Sequence, residues 1–245
     1  MIHVERNCRV VFITLDRPQC RNALSFDLLA MLSGALSAVS PANDAAVVIS
    51  GAGTTFSAGA DLSELTGTSR DIAMDDAIAD VVKAILEAQV PVIAAVNGPC
   101  IGGAVDIMLA CDIRVASENA LIQVPATRLG LLYNPAAVAR MHALLSRDVL
   151  TRLLAQGELF DADQAFETGL VTHASPASDA MKARAACRTG CNVGAAVVAT
   201  ERLLDALDNG TYDPKEWERQ RREILDSPGR ATAIAAAKDN KEGLS

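Results

Sequence analysis

Gly102 and Gly103 separate two apolar runs, and Asp106 follows Gly103 by three residues. The first run, Val92 to Val96, has the pattern of a buried strand, and the second, Ala104 to Ala110, has helical character. A strand, a glycine turn and a helix N-terminus in succession leave backbone N–H groups unpaired and pointing into one spot. Such a spot favours a bound anion or a developing oxyanion. Asp106 lies on the same helix face, so the pattern predicts backbone donors beside a carboxylate. The alternative is a tight packing turn with an acid in the first helical turn.

A second stretch, Val47 to Leu65, also runs from a strand into a glycine-rich turn, followed by FSAGADL from Phe56 to Leu62. Together with PVIAAVNGPCIGGAVDIMLACDIRVAS, from Pro91 to Ser117, this segment resembles the crotonase superfamily, the enoyl-CoA hydratase/isomerase group. The resemblance runs from about Val10 to about Lys241. It implies an α/β fold of the crotonase (ClpP-like) type, a spiral of ββα units with a C-terminal helical trimerisation region.

The resemblance also implies a ligand and a site. The ligand is an acyl-CoA or enoyl-CoA thioester, which is a substrate rather than a resident cofactor. The N–H groups of Ala58 and Gly103 would form an oxyanion hole for the thioester carbonyl, and Asp106 stands where the family's hydratases carry their first catalytic glutamate. The segment from Leu15 to Ser25 resembles the family's first CoA-contacting segment. The remaining implied contacts are Arg21, Ala23, Ala60, Asp61, Leu62, Gly102, Ala126 and Asn134.

The sequence departs from the hydratase pattern at the second acid. Gln123 to Gly130 matches the segment that carries the second glutamate, and Ala126 occupies that position. Eight residues further on, where dienoyl-CoA isomerases have an aspartate, the chain has Asn134. A single acid supplies only part of the acceleration that an acid–base pair gives, so ordinary hydration is expected to be weak.

Several functions therefore stay open. One is a single-carboxylate reaction of an acyl-CoA, such as double-bond isomerisation by Asp106, and another is hydration with an altered dyad. A third is a non-catalytic fatty acyl-CoA-binding protein, in which Asp106 only accepts a hydrogen bond from backbone or from Arg128. A non-enzymatic structural oligomer is the remaining class, and it would show no saturable binding of acyl-CoA.

The elements that would position these residues alternate between strand and helix, which predicts helices packed on mostly parallel strands. Ser25 is the predicted N-cap of a helix ending near Val39, and the helix from Asp71 to Gln89 should bury Ile78, Val82, Ile85 and Leu86. Strands are predicted at Arg9 to Leu15, Ala45 to Ser50, Val92 to Val96, Ile113 to Ala116 and Leu121 to Val124. From Pro135 onward the chain is predicted to be nearly all helical. A loose boundary near Gly190 divides a spiral core with the acyl-CoA site, residues 1–190, from a helical oligomerisation region, residues 191–245.

Composition limits the classes of partner that the protein could bind and indicates its cellular compartment. The chain has 245 residues, half of them hydrophobic, and a formal net charge of −8, which argues against a nucleic-acid partner. An acidic protein that binds polyanionic CoA must concentrate a few basic groups locally, and Arg17 and Arg21 are the candidates. The six cysteines include no CxxC pair, which predicts reduced thiols, no metal site and a cytoplasmic location. No apolar run approaches membrane-spanning length. The resemblance implies a homotrimer, or a hexamer formed as a dimer of trimers.

Overall fold

A computed structural model describes residues 1–7, 9–175, 194–208, 210–227, 229–232 and 234. The strands are β1 (Ile2–Asn7), β2 (Val10–Leu15), β3 (Ala46–Gly51), β4 (Val92–Val96), β5 (Cys100–Ile101), β6 (Ile113–Ser117), β7 (Leu121–Gln123), β8 (Phe160–Asp161) and β9 (His173–Ser175). The helices are α1 (Phe26–Ser37), α2 (Ile72–Leu86), α3 (Gly103–Leu109), α4 (Pro135–Leu144), α5 (Arg147–Leu150), α6 (Ala162–Glu167), α7 (Gly194–Asp208) and α8 (Pro214–Leu225).

Two sheets organise these elements. The larger has the order β1-β2-β3-β4-β6-β9, and every neighbouring pair in it is parallel except the antiparallel hairpin of β1 and β2. The smaller has the order β5-β7-β8. Every residue of β3 and β4 is buried, as expected for parallel strands covered on both faces. The predicted parallel α/β architecture is therefore confirmed.

Helices α1 and α2 cover one face of the larger sheet. Ser25 caps α1 as predicted, because its Oγ accepts a hydrogen bond from the Leu28 N–H at 3.3 Å, and the helix ends at Ser37. Helix α2 buries Ile78, Val82 and Ile85 as predicted, together with Met74 and Val81. Leu86 was also predicted to be buried, but it is 52 % exposed, since it lies at the last residue of α2 beyond the helix's inward stripe.

Asp112, between α3 and β6, has a structural role. It lies three residues beyond the end of α3 and accepts a hydrogen bond from the Val92 N–H at 2.7 Å. The bond fixes the start of β4, the strand that leads into the glycine turn.

Some sequence predictions lie outside the described residues, namely a helix from Asp179 to Arg188, the boundary near Gly190, and Ala237, Asn240 and Lys241, which were matched to a subunit contact. Among the described helices, none is long and apolar enough to cross a membrane.

Candidate active site

Two buried asparagines hold the turn that follows β3. The Asn22 amide donates to the carbonyl of Thr55 at 2.7 Å. Asn97, at the end of β4, accepts a hydrogen bond from the Gly51 N–H at 3.0 Å and donates to the carbonyls of Gly51 and Gly53 at 2.9 and 3.0 Å. Where β3 and β4 end, these side-chain hydrogen bonds replace the backbone hydrogen bonds between the strands. They fix the direction in which the segment after β3 leaves the sheet.

That segment, residues 57–61, lies between two other parts of the chain. On one side, Leu24 donates its N–H to the Gly59 carbonyl at 2.8 Å and accepts from the Asp61 N–H at 2.9 Å. On the other side, Ser57 pairs in parallel with Cys100. The sequence-distant segments 21–24 and 100–103 therefore meet across it.

The structure corrects the predicted donor at this turn. The Ala58 N–H donates to the Arg21 carbonyl at 2.9 Å, so it is not available to a ligand. Ala60 lies opposite Leu24. The backbone of Leu24 forms hydrogen bonds with Gly59 and Asp61, the residues on either side of Ala60. The Ala60 N–H therefore points away from the segment that contains Leu24. Within the described residues the Ala60 N–H has no hydrogen-bond acceptor.

The glycine turn supplies a second unpaired N–H. Gly102 has φ +59°, which favours glycine, and its N–H donates to the Gln123 carbonyl at 2.8 Å. Gly103 is the first residue of α3, and in the described part of the chain no acceptor lies within reach of its N–H. A Cβ placed on Gly59 would lie 3.5 Å from the Gly102 Cα, so Ala60 and Gly103, which follow these two glycines, lie on neighbouring segments. The N–H groups that have no acceptor among the described residues are therefore those of Ala60 and Gly103, whereas the sequence had assigned the first of them to Ala58.

The two turns open into a cavity of about 610 Å³. The predicted site residues that line it are Ala58, Ala60, Leu62, Gly102, Gly103, Asp106, Ala126 and Asn134. Arg21, Ala23 and Asp61 are not among its lining residues. The structure thus brings together both glycine segments, Asp106 and the segment that carries Ala126.

Asp106 is 4 % exposed and is paired with a cation. The Arg140 Nη2 donates to both carboxylate oxygens, at 2.8 Å each. Burial raises the pKa of Asp106, and the hydrogen bond and charge of Arg140 offset only part of this effect. Arg128, the arginine considered from the sequence, instead donates to the Gly157 carbonyl at 3.0 Å.

Arg140 was not found from the sequence, although α4 carried a signal. It follows the buried Ala137 by three residues, so it shares that helix's inner face. A charged residue at such a position indicates a buried partner.

Two further polar groups of the cavity were not assigned from the sequence. Asp75 of α2 lines the cavity, and burial, followed by the charges of Asp76 and Asp106, raises the pKa of its carboxyl. The Tyr133 hydroxyl donates to the Gly102 carbonyl at 3.1 Å. Burial raises the pKa of Tyr133 well above its ordinary value, so the phenol stays protonated and anchors the glycine turn.

Ala126 belongs to the wall of the cavity, and Asn134 caps a helix. Ala126 is 6 % exposed and presents no proton-transfer group to the cavity. Asn134 is the N-cap of α4, and its side-chain oxygen accepts a hydrogen bond from the Ala136 N–H at 2.9 Å. That oxygen therefore has a structural role in starting α4.

Arg17 is bound within the fold. Its Nη1 lies 2.9 Å from Asp61 Oδ2 and donates to the Ala23 carbonyl at 2.8 Å. Asp61 also caps the short turn Leu62–Glu64 by accepting from the Ser63 N–H at 3.2 Å. Hydrogen bonds from Ser63 and Arg17 lower the pKa of Asp61, so the carboxylate stays ionised. Arg21, whose side chain is exposed, remains the predicted basic group for CoA.

Comparison with known proteins gives a consistent match. The family model described as enoyl-CoA hydratase/isomerase matches residues 5–226. A 2,3-dehydroadipyl-CoA hydratase from Escherichia coli is 30 % identical over 249 residues, covering 99 % of this chain and 93 % of the relative. A mitochondrial delta(3,5)-delta(2,4)-dienoyl-CoA isomerase from Mus musculus is 31 % identical over 187 residues, covering 70 % of this chain and 57 % of the relative.

A solved structure extends the match to the fold. The crystal structure of an enoyl-CoA hydratase/carnithine racemase from Magnetospirillum magneticum superposes with a TM-score of 0.86 at 26 % identity. The match covers 98 % of this chain and 92 % of that one.

Proposed function

The chain belongs to the enoyl-CoA hydratase/isomerase family and has its crotonase fold, and on this premise we propose that it binds an acyl-CoA thioester and moves protons next to the thioester carbonyl. The observation that carries the proposal is that the N–H groups of Ala60 and Gly103 have no acceptor among the described residues, and that both residues line a cavity together with Asp106. Coenzyme A is here part of the substrate and not a resident cofactor.

The donor pair suits a thioester oxygen. Two N–H groups aimed at one point stabilise the charge that develops on a carbonyl oxygen when the neighbouring carbon loses a proton. Neither N–H has an acceptor among the described residues, and hydrogen bonds inside a protein cavity are stronger than in water. A thioester bound in this way has an acidified hydrogen on the carbon next to the carbonyl, C2.

Asp106 is the group proposed to take that proton. It lies one helical turn after Gly103 on α3, so its carboxylate and the donor pair face the same cavity. Arg140 keeps the carboxylate ordered and favours its ionised form, while burial strengthens it as a base. The reaction that fits a polarised thioester and a base at C2 is the isomerisation of a 3-enoyl-CoA to a 2-enoyl-CoA.

Ordinary hydration fits the cavity less well. Ala126 offers no acid or base where a water would have to be oriented, and Asn134 uses its oxygen to cap α4. A non-catalytic acyl-CoA-binding protein is the second candidate, because Arg140 occupies both oxygens of Asp106. Both candidates require the donor pair, and they differ in whether protons move.

The test is a matched pair of variants at Gly103. Gly103→Pro removes the N–H at the first position of α3, where proline suits the backbone. Gly103→Ala keeps the N–H and introduces the same new Cβ, which in both variants meets the flexible end of the Ile78 side chain at 2.5 Å. The assays are titration with butyryl-CoA, exchange of its C2 hydrogens into heavy water, and conversion of 3-hexenoyl-CoA.

We expect Gly103→Pro to lose exchange and isomerisation by about a hundredfold or more relative to Gly103→Ala, the usual effect of removing one oxyanion donor. Equal activity of the two variants would refute the donor assignment. Saturable binding without exchange in the parent would establish the binding protein, and the absence of saturable binding would leave the structural oligomer.

A further inference from the structure

Asp75 is a second carboxylate on the proposed site, contributed by a different helix. It lies on α2 and lines the cavity that also contains Asp106 and Ala126. Ile78, one turn further along α2, reaches Gly103, since a Cβ placed on that glycine would lie 2.5 Å from the Ile78 Cδ1. The turn of α2 that carries Asp75 therefore packs against the start of α3, where the donor pair and Asp106 are found.

The two carboxyl groups have different surroundings. Asp106 receives two hydrogen bonds from Arg140. Asp75 has no hydrogen bond or ion pair with any described residue, and burial together with the charges of Asp76 and Asp106 raises the pKa of its carboxyl. Two titratable groups that share a cavity and differ in this way are suited to opposite roles, one as the base and the other as the acid.

We propose that Asp75 is the second proton-transfer group of this site and delivers a proton to the substrate, in place of the acid that is missing at Ala126. The proposal rests on the proposed function, because it needs a thioester bound at Ala60 and Gly103. It extends that function by replacing a one-carboxylate shuttle with a relay between α3 and α2.

The relay balances for a 3-enoyl-CoA. Asp106 takes a proton from C2, and the electron pair of the broken C–H bond moves into a dienolate whose negative charge lies on the thioester oxygen. Asp75 gives its proton to C4, so a C4–H bond forms, the double bond moves from C3–C4 to C2–C3, and the carbonyl is restored. Asp106 is then protonated and Asp75 ionised, and exchange with water returns both to their starting forms.

An isotope experiment separates the relay from a one-carboxylate shuttle. The substrate is 3-hexenoyl-CoA with deuterium at C2, converted in ordinary water, and the product is analysed for deuterium at C4. A shuttle carries part of the label from C2 to C4 on the same carboxyl group. The relay places a hydrogen from water at C4, so we expect no transferred deuterium in the parent.

Asp75→Asn removes the acid and keeps the side chain's shape, and Asp80→Asn is the matched control, since Asp80 is an exposed aspartate of the same helix that does not line the cavity. We expect Asp75→Asn to lower the isomerisation rate by about a hundredfold or more, with residual turnover that transfers deuterium to C4. Its affinity for butyryl-CoA and its melting temperature at pH 7 should not fall, and Asp80→Asn should behave like the parent.

Transfer of deuterium to C4 by the parent, or parental rates in Asp75→Asn, would overturn the role of Asp75 while leaving the proposed function intact. A parent that shows neither isomerisation nor C2 exchange would overturn the proposed function itself and the relay with it.

Discussion

At the scale of single residues, Asp106 is subject to two opposing influences. Burial favours its neutral form, and Arg140 favours its ionised form. The net result is a raised pKa, so the carboxylate is a stronger base than an exposed aspartate while the guanidinium fixes its position. The Arg140 side chain is 31 % exposed, which means that solvent screens part of its charge.

The variant Arg140→Met tests how Arg140 and burial together set the pKa of Asp106. Without the cation the pKa of Asp106 rises further, so the acid limb of the C2 exchange rate, measured against pH, should move to higher pH. Stability at pH 7 should fall by about 1–3 kcal/mol in urea unfolding, less than the roughly 3–5 kcal/mol of a fully buried pair, because Arg140 is partly exposed.

The sign of the pH effect on stability follows from the same shift. A carboxyl whose folded pKa lies above the ordinary value of 3.8 costs stability above that folded pKa and costs nothing once both states are protonated. The deficit of Arg140→Met should therefore shrink as the pH falls toward 3.8. The control is the double variant Asp106→Asn/Arg140→Met, which should recover most of the lost stability. An acid limb that stays in place or moves to lower pH would contradict the pairing.

Some residues of the candidate site could be predicted from the sequence, and others could not. The Gly102–Gly103 turn and Asp106 were predicted from spacing, the segment from Phe56 to Leu62 was added by family resemblance, and the structure places all of them on one cavity. The free N–H was assigned to Ala58, and the structure gives Ala60, because the choice depends on Arg21 and Cys100, which neighbour this turn only in three dimensions. Arg140 was missed for the same reason, since it pairs with Asp106 across 34 positions of sequence.

At the scale of elements, the site depends on how β3 and β4 end. Both strands stop at the same edge of the parallel sheet, and the chain leaves that edge twice, once toward Ala60 and once toward Gly103. Asn97 joins the two exits through three hydrogen bonds with Gly51 and Gly53. The sequence does not reveal this role of Asn97, because turn propensity says nothing about a partner 46 residues away.

Asn97→Ala should lower the free energy of unfolding by about 2–4 kcal/mol, since it leaves one buried N–H and two carbonyls without their partner. Asn97→Asp keeps an acceptor for the Gly51 N–H but places a carboxylate oxygen against the two carbonyls, so it should destabilise at least as much at pH 7. Urea unfolding measures both. An Asn97→Asp variant as stable as the parent would contradict the conclusion that the Asn97 hydrogen bonds hold the ends of β3 and β4 together.

At the scale of the whole molecule, the parallel sheet and the flanking helices followed from strand and helix periodicity, whereas the spiral arrangement came from family resemblance, because no repeat of fixed period marks it in the sequence. The trimer or hexamer stays a prediction.

The charge of the whole molecule affects how a polyanionic ligand approaches the site. The chain carries a formal net charge of −8, Asp71 and Asp75 line the cavity, and Arg17 is already paired with Asp61.

The approach of CoA, a polyanion, should therefore be slowed by the field of the protein. Raising the salt concentration from about 0.01 M to about 0.1 M shortens the screening length from about 30 Å to about 10 Å, so the association rate of butyryl-CoA should rise by roughly two- to tenfold. Stopped-flow binding measures this rate. Arg21→Gln removes the exposed cation predicted to attract CoA, so it should bind more slowly than the parent at low salt and gain more from added salt. An association rate that falls with salt would mean that local cations, and not the net charge, control the encounter.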